Sequence, residues 1–140
     1  MIAPSLDSTV AIARALGHPA RLRTLGMLSS GELCVCQITA VLGLAPSTVS
    51  AHLRELRNAG LTAEHKEGRW VYVGLTDDGT IRPWIDDALE AIAADPRFEA
   101  DDRMVEEIRR MPLVDLCGLG YREATAKLAR SSPKKRRQVS

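Results

Sequence analysis

The apolar rhythm of this chain changes around Gly60 from a spacing of three and four residues to a spacing of two. It returns to the longer period one hairpin later. Upstream, "LAPSTVSAHLRELRNAGL" puts Val49, Leu53 and Leu56 on one stripe of a helix, with Pro46 near its start and Gly60 at its end. Downstream, "TAEHKEGRWVYVGL" holds two short strand-like runs about a Glu67-Gly68 turn, the signature of a hairpin. Three shorter helical patterns precede this pair, over about Leu6–Gly17, Pro19–Gly31 and Cys34 or Val35 to Leu42. A longer amphipathic pattern follows, carried by Ile81, Trp84, Ile85, Ala88, Leu89 and Ile92. Helix, helix, short turn, helix, hairpin is the order of a winged helix-turn-helix. The expected fold is therefore mainly α with a β-hairpin wing.

At 140 residues the chain suits a single core. With 19 Lys and Arg against 18 Asp and Glu, its overall charge selects no partner. No apolar run approaches the ~20 residues that span a bilayer, and "MIAPSLDSTV" lacks the pattern of a secretion signal. A cytoplasmic location is expected, where thiols stay reduced. The organisation expected is a winged-helix DNA-binding and dimerisation unit over residues 1–95, a loosely attached helical extension over 96–130, and a disordered basic tail, "SSPKKRRQVS", over 131–140.

The helix at Pro46–Ala59 carries a face suited to a DNA groove. Ser47, Ser50, Ala51 and Arg54 lie opposite the apolar stripe, with Thr48 and His52 on its flank. Small residues let a helix settle into a major groove, hydroxyls bond phosphate or base edges, and the positive end of the helix dipole favours phosphate. Lys66 and Arg69 at the hairpin tip suit the adjacent backbone. Taken singly, each of these features fits a capped helix end or a solvated turn better than a DNA contact. The net charge of residues 46–75 is only +1, so the order of elements carries the reading and electrostatics does not.

"GELCVCQITAVLG" places Cys34 and Cys36 one residue apart at the front of a short helix, where positions i and i+2 point apart. Soft thiolates select soft ions, and a helix N-terminus favours the ligating form of a thiol. His18, His52 and His65 are dispersed and Glu32 is the one nearby carboxylate, which argues against nitrogen or oxygen sites. Both sulfurs can hold one ion only if the backbone between them leaves helical geometry. Ligation is thus expected to unwind or re-aim the start of the helix that supports the reading helix.

Four segments in order, "LGHPARLRTLGML", "ELCVCQIT", "LGLAPSTVSAHLRELRNAGL" and "KEGRWVYVGL", resemble the ArsR family of metal-responsive winged-helix repressors over about residues 10–93. The resemblance implies a homodimer on a partly palindromic operator, joined through helices near Val10–Leu16 and Ile81–Ile92. It implies DNA contacts from Ser47, Thr48, Ser50, His52 and Arg54, with Lys66 and Arg69 from the wing. "ELCVC" resembles the family's arsenic-sensing box, where three sulfurs hold arsenite or antimonite. The position of that box's third cysteine is Thr39 here, and Cys117 is the remaining thiol able to complete the set.

The expected function is a transcriptional repressor that leaves its operator on binding As(III) or Sb(III) through Cys34, Cys36 and Cys117. Neither an organic cofactor nor an enzymatic activity is expected, because no base accompanies the thiols. A redox sensor using Cys34 and Cys36, a sensor of another soft metal or of an organoarsenical, and a protein-interaction module stay open as alternatives.

Overall fold

The computed structural model describes residues 5–131; the basic stretch Lys134–Arg137 lies outside them. Helices α1 (Leu6–Leu16) and α2 (Pro19–Leu28) are followed by a two-residue strand β1 (Leu33–Cys34) and α3 (Val35–Leu42). Helix α4 (Pro46–Asn58) leads into β2 (Thr62–Glu67) and β3 (Trp70–Leu75), and α5 (Arg82–Ile92), α6 (Pro96–Arg109), α7 (Leu113–Cys117) and α8 (Tyr121–Ser131) complete the chain. This is the mainly helical fold with a hairpin wing that the patterning predicts.

The stops and starts have local causes. Ser5 caps α1, its hydroxyl accepting from the Ser8 backbone N–H at 3.0 Å. Gly43 ends α3 at φ +66°, and Gly68 turns the hairpin at φ +60°, both in the region glycine enters without strain. Asp95 caps α6 through the Arg97 N–H at 2.8 Å. The periodicity did not reveal β1. It pairs antiparallel with β3, Leu33 opposite Val73 and Cys34 opposite Tyr72, and makes a three-stranded sheet in the order β1-β3-β2. Two residues are too few to display a period of two.

One apolar cluster runs through the molecule. Leu25, Leu33, Ile38, Leu56, Leu61 and Ile85 are fully buried in it, and so are Val105, Ile108 and Leu128 from the last third of the chain. The segment expected to be loosely attached is therefore packed into the core. Its alternating charges conceal a stripe (Val105, Ile108) that reads as apolar only once α2 and α3 cover it. Arg23 of α2 clamps Asp101 of α6 through two bonds of 2.9 Å, with the Asp101 side chain 6% exposed. Arg109 donates to the backbone oxygens of Gly31 and Glu32 at 3.2 and 3.1 Å, and Thr125 of α8 donates to the Ala40 oxygen of α3 at 2.8 Å.

Candidate metal centre and nucleic-acid interface

Cys34 is the residue before the first turn of α3. Its backbone is extended, φ −71° and ψ 149°, and its N–H donates to the Gln37 side chain at 2.8 Å. Cys36 lies inside the first turn. The extended residue at the cap swings the Cys34 side chain out of helical register, so the two sulfurs converge with α3 fully formed. The backbone between the thiols leaves helical geometry at Cys34, as joint ligation was expected to require. A helix boundary, placed between the cysteines rather than before them, does that work.

The third thiol arrives from far along the chain. Pro112 starts the short α7, Leu116 anchors it in the core, and Cys117 at its end meets Cys36. These two are paired as a disulfide across 81 residues, with Cα atoms 5.5 Å apart, and Cys34 is the buried free cysteine. The redox pair expected from the sequence, Cys34 with Cys36, is replaced here by Cys36 with Cys117. The cause is that Cys34 sits in the sheet facing the interior while Cys36 faces α7. All three sulfurs lie within 4.8 Å of one another. Thr39, at the position of the familiar third cysteine, is buried and its hydroxyl donates to the Val35 oxygen at 2.8 Å.

On α4, Val49, Leu53 and Leu56 are buried and Ser47, Thr48, Ser50, Ala51 and Arg54 are exposed, as the stripe requires. Arg54 makes no hydrogen bond or ion pair among the described residues. On the wing, Lys66 and Arg69 are exposed, and the Arg69 guanidinium lies 4.5 Å from the Trp70 ring centroid. His52 is placed differently. Its ring is 4.3 Å from that of His18, and its Nδ1 lies 3.2 Å from the Arg21 guanidinium, which also donates to the Ala15 and Arg14 oxygens that end α1. Burial first, and then the neighbouring His18 and Arg21, push the His52 pKa below the ordinary imidazole value. The neutral ring accepts from Arg21, so His52 joins α4 to the α1–α2 junction.

The sulfurs lie beside residues of α4 and the wing. A partly open cavity of about 550 Å³ is lined by the three cysteines together with Ser50, Arg54 and Arg69. Arg57, Glu64 and Trp70 also line it, and sequence reasoning missed them. The available signal was spacing, since Arg57 follows Arg54 by three and so shares its face.

The sequence profile described as "Bacterial regulatory protein, arsR family" matches residues 18–62, which span α2 to the start of β2. The arsenic resistance transcriptional regulator ArsR2 of Pseudomonas putida is 31% identical over 93 residues, 65% of this chain and 79% of that protein. The chain belongs to the ArsR family. The ArsR1 regulator of the same organism is 38% identical over 69 residues, a match that spans about half of each protein, 49% of this chain and 52% of the relative. Among solved structures, the homodimeric winged helix-turn-helix DNA-binding domain of a possible ArsR-family regulator from Mycobacterium bovis is similar. It shows 30% identity and a TM-score of 0.55, over 68% of this chain and 91% of that domain. As an ArsR-family member the protein is a DNA-binding transcriptional repressor with a winged helix-turn-helix, in which the β2–β3 hairpin follows α4. No described helix of this ArsR-family regulator is long and apolar enough to cross a membrane.

Proposed function

We propose that the protein is a homodimeric repressor that leaves its operator when trivalent arsenic or antimony is taken up by the thiolates of Cys34, Cys36 and Cys117. The single observation that carries this reading is the convergence of three sulfurs, two from the start of α3 and one from the end of α7, within 4.8 Å. The group contains sulfur alone. Such a donor set suits a thiophilic ion better than zinc with its usual four ligands, or calcium and magnesium with their oxygens. The P. putida relatives described as arsenic resistance regulators support the same class of inducer.

Operator contacts are assigned to Ser47, Thr48, Ser50 and Arg54 of α4 and to Lys66 and Arg69 of the wing, with His52 offering the one ring nitrogen that Arg21 leaves open. Dimerisation is assigned to α1 and α5. Leu6 and Val10 are 80% and 46% exposed and Trp84 is 40% exposed, large apolar groups that a second copy would cover. Two reading helices on one frame bind through effective concentration what one helix with few cations holds weakly. Residues 1–95 then carry DNA and the dimer, and residues 96–130 supply the third ligand. To turn a 99:1 bound population into 1:99, the inducer must favour the released form by about 5.5 kcal/mol.

The test uses the reduced full chain on a fragment of its own promoter. Arsenite is expected to release the DNA at near-stoichiometric addition, with X-ray absorption counting three sulfur neighbours on arsenic. DNA retained at saturating arsenite overturns the reading.

The pairing of Cys36 with Cys117 favours a second reading, a switch by thiol oxidation between α3 and α7. Peroxide then releases the operator while arsenite does not, and Cys34→Ser leaves that response intact.

A further inference from the structure

The cavity beside the sulfurs is far larger than one arsenic atom needs. Its volume is about 550 Å³, and the charged part of its lining is cationic: Arg54, Arg57 and Arg69 against the single carboxylate of Glu64. Only Arg57 is engaged with that carboxylate, at 3.2 Å. Arg54 has no ion pair among the described residues and Arg69 only lies over Trp70, so two of the lining arginines have no carboxylate partner there. Trp70 adds an aromatic surface to the same lining.

We propose that this cavity receives the organic arm of a trivalent arsenical, and that the arm it prefers carries a carboxylate. The proposal rests on the thiolate reading above. An arsenoso compound, R–As=O, condenses with two of the three cysteine thiols of the reduced protein. Two As–S bonds form, the arsenic–oxygen bonds break, and the oxygen leaves as water with both thiol protons. Arsenic stays trivalent and keeps its bond to R. The third sulfur is then free, and R projects from the sulfurs into the cavity, its carboxylate reaching Arg54 and Arg69. Guanidinium and carboxylate pair through two parallel bonds, which a neutral or cationic arm cannot form. Because the same two arginines are assigned to the operator, an acidic arm would withdraw them from phosphate while it binds.

Three probes test this on the phosphine-reduced full chain without DNA: phenylarsine oxide, its 4-carboxy derivative and its 4-amino derivative, titrated against tryptophan fluorescence, to which Trp70 and Trp84 both contribute, and by calorimetry. The carboxylated probe is expected to bind about tenfold tighter than the parent. That preference should fall to about unity in the Arg54→Ala/Arg69→Ala double variant, and should shrink in the wild type at high salt, whatever the variant's stability. Equal affinity for all three probes overturns the acidic arm while leaving the thiolate reading standing. A carboxylate preference that survives in the double variant overturns the assignment to these arginines. Binding of none of the probes, with the thiols confirmed as reduced, overturns the thiolate reading and this proposal together.

Discussion

Replacing Cys117 with Ser removes one sulfur and changes little else, and the structure allows the loss to be worked out. Confinement of a sulfur to a sphere of 4.8 Å radius around its partners is a local concentration of about 4 M. In the variant, a free monothiol at ~1 mM must take the third place, a deficit of about 4,000-fold, or about 5 kcal/mol. Arsenite affinity, read by equilibrium titration of the reduced protein at that monothiol concentration, should therefore fall by ~10³ or more. Raising the monothiol tenfold should recover about one tenfold step, because the external ligand enters the equilibrium once. Operator affinity without arsenite should be unchanged, since Cys117 is carried by α7, which packs on α3. A loss of less than tenfold, or no recovery with added monothiol, refutes the three-sulfur site. Loss of operator binding in the absence of arsenite would instead make Cys117 a packing residue.

Three further outcomes are expected from the packing. Asp101→Ala strips Arg23 of its clamp and should cost about 2–3 kcal/mol in a urea melt, below the full penalty of a broken buried pair because the Arg23 side chain stays 29% exposed. Leu128→Ala opens a cavity where α8 meets the core and should cost about 3 kcal/mol, with a fall in Tm of roughly 9 °C by circular dichroism. A neutral Tm would mean that the extension is not part of the core. The lowered His52 pKa means that the unfolded chain takes up the proton first, so stability should be level above about pH 6.5 and decline as the pH falls below it. His52→Gln should flatten that decline, and an unchanged pH profile would show that the His18–Arg21–His52 contact does not persist in solution.

The fold class and the buried and exposed faces of α4 were legible in the sequence because both are local. Val49, Leu53 and Leu56 recur at helical spacing whatever the rest of the chain does, and Gly43 and Gly68 mark turns that only their own backbone dictates. The thiols of Cys34 and Cys36 were legible as chemistry, and Cys117 as their candidate third through a family likeness. Their geometry was not. Whether a helix begins before or between two cysteines turns on one residue's ψ angle, and β1 holds Cys34 extended only because β3 passes alongside it.

The sequence by itself determined which elements form and in what order, since period, caps and glycines act over a turn or a hairpin. Tertiary structure alone decided that α6 and α8 belong to the core and that a sulfur 81 residues away closes on Cys36. It also decided that arginines from α4 and the wing share one cavity with the thiols. Each of these depends on burial between segments distant in the chain, and no local pattern of residues encodes the partner that does the burying.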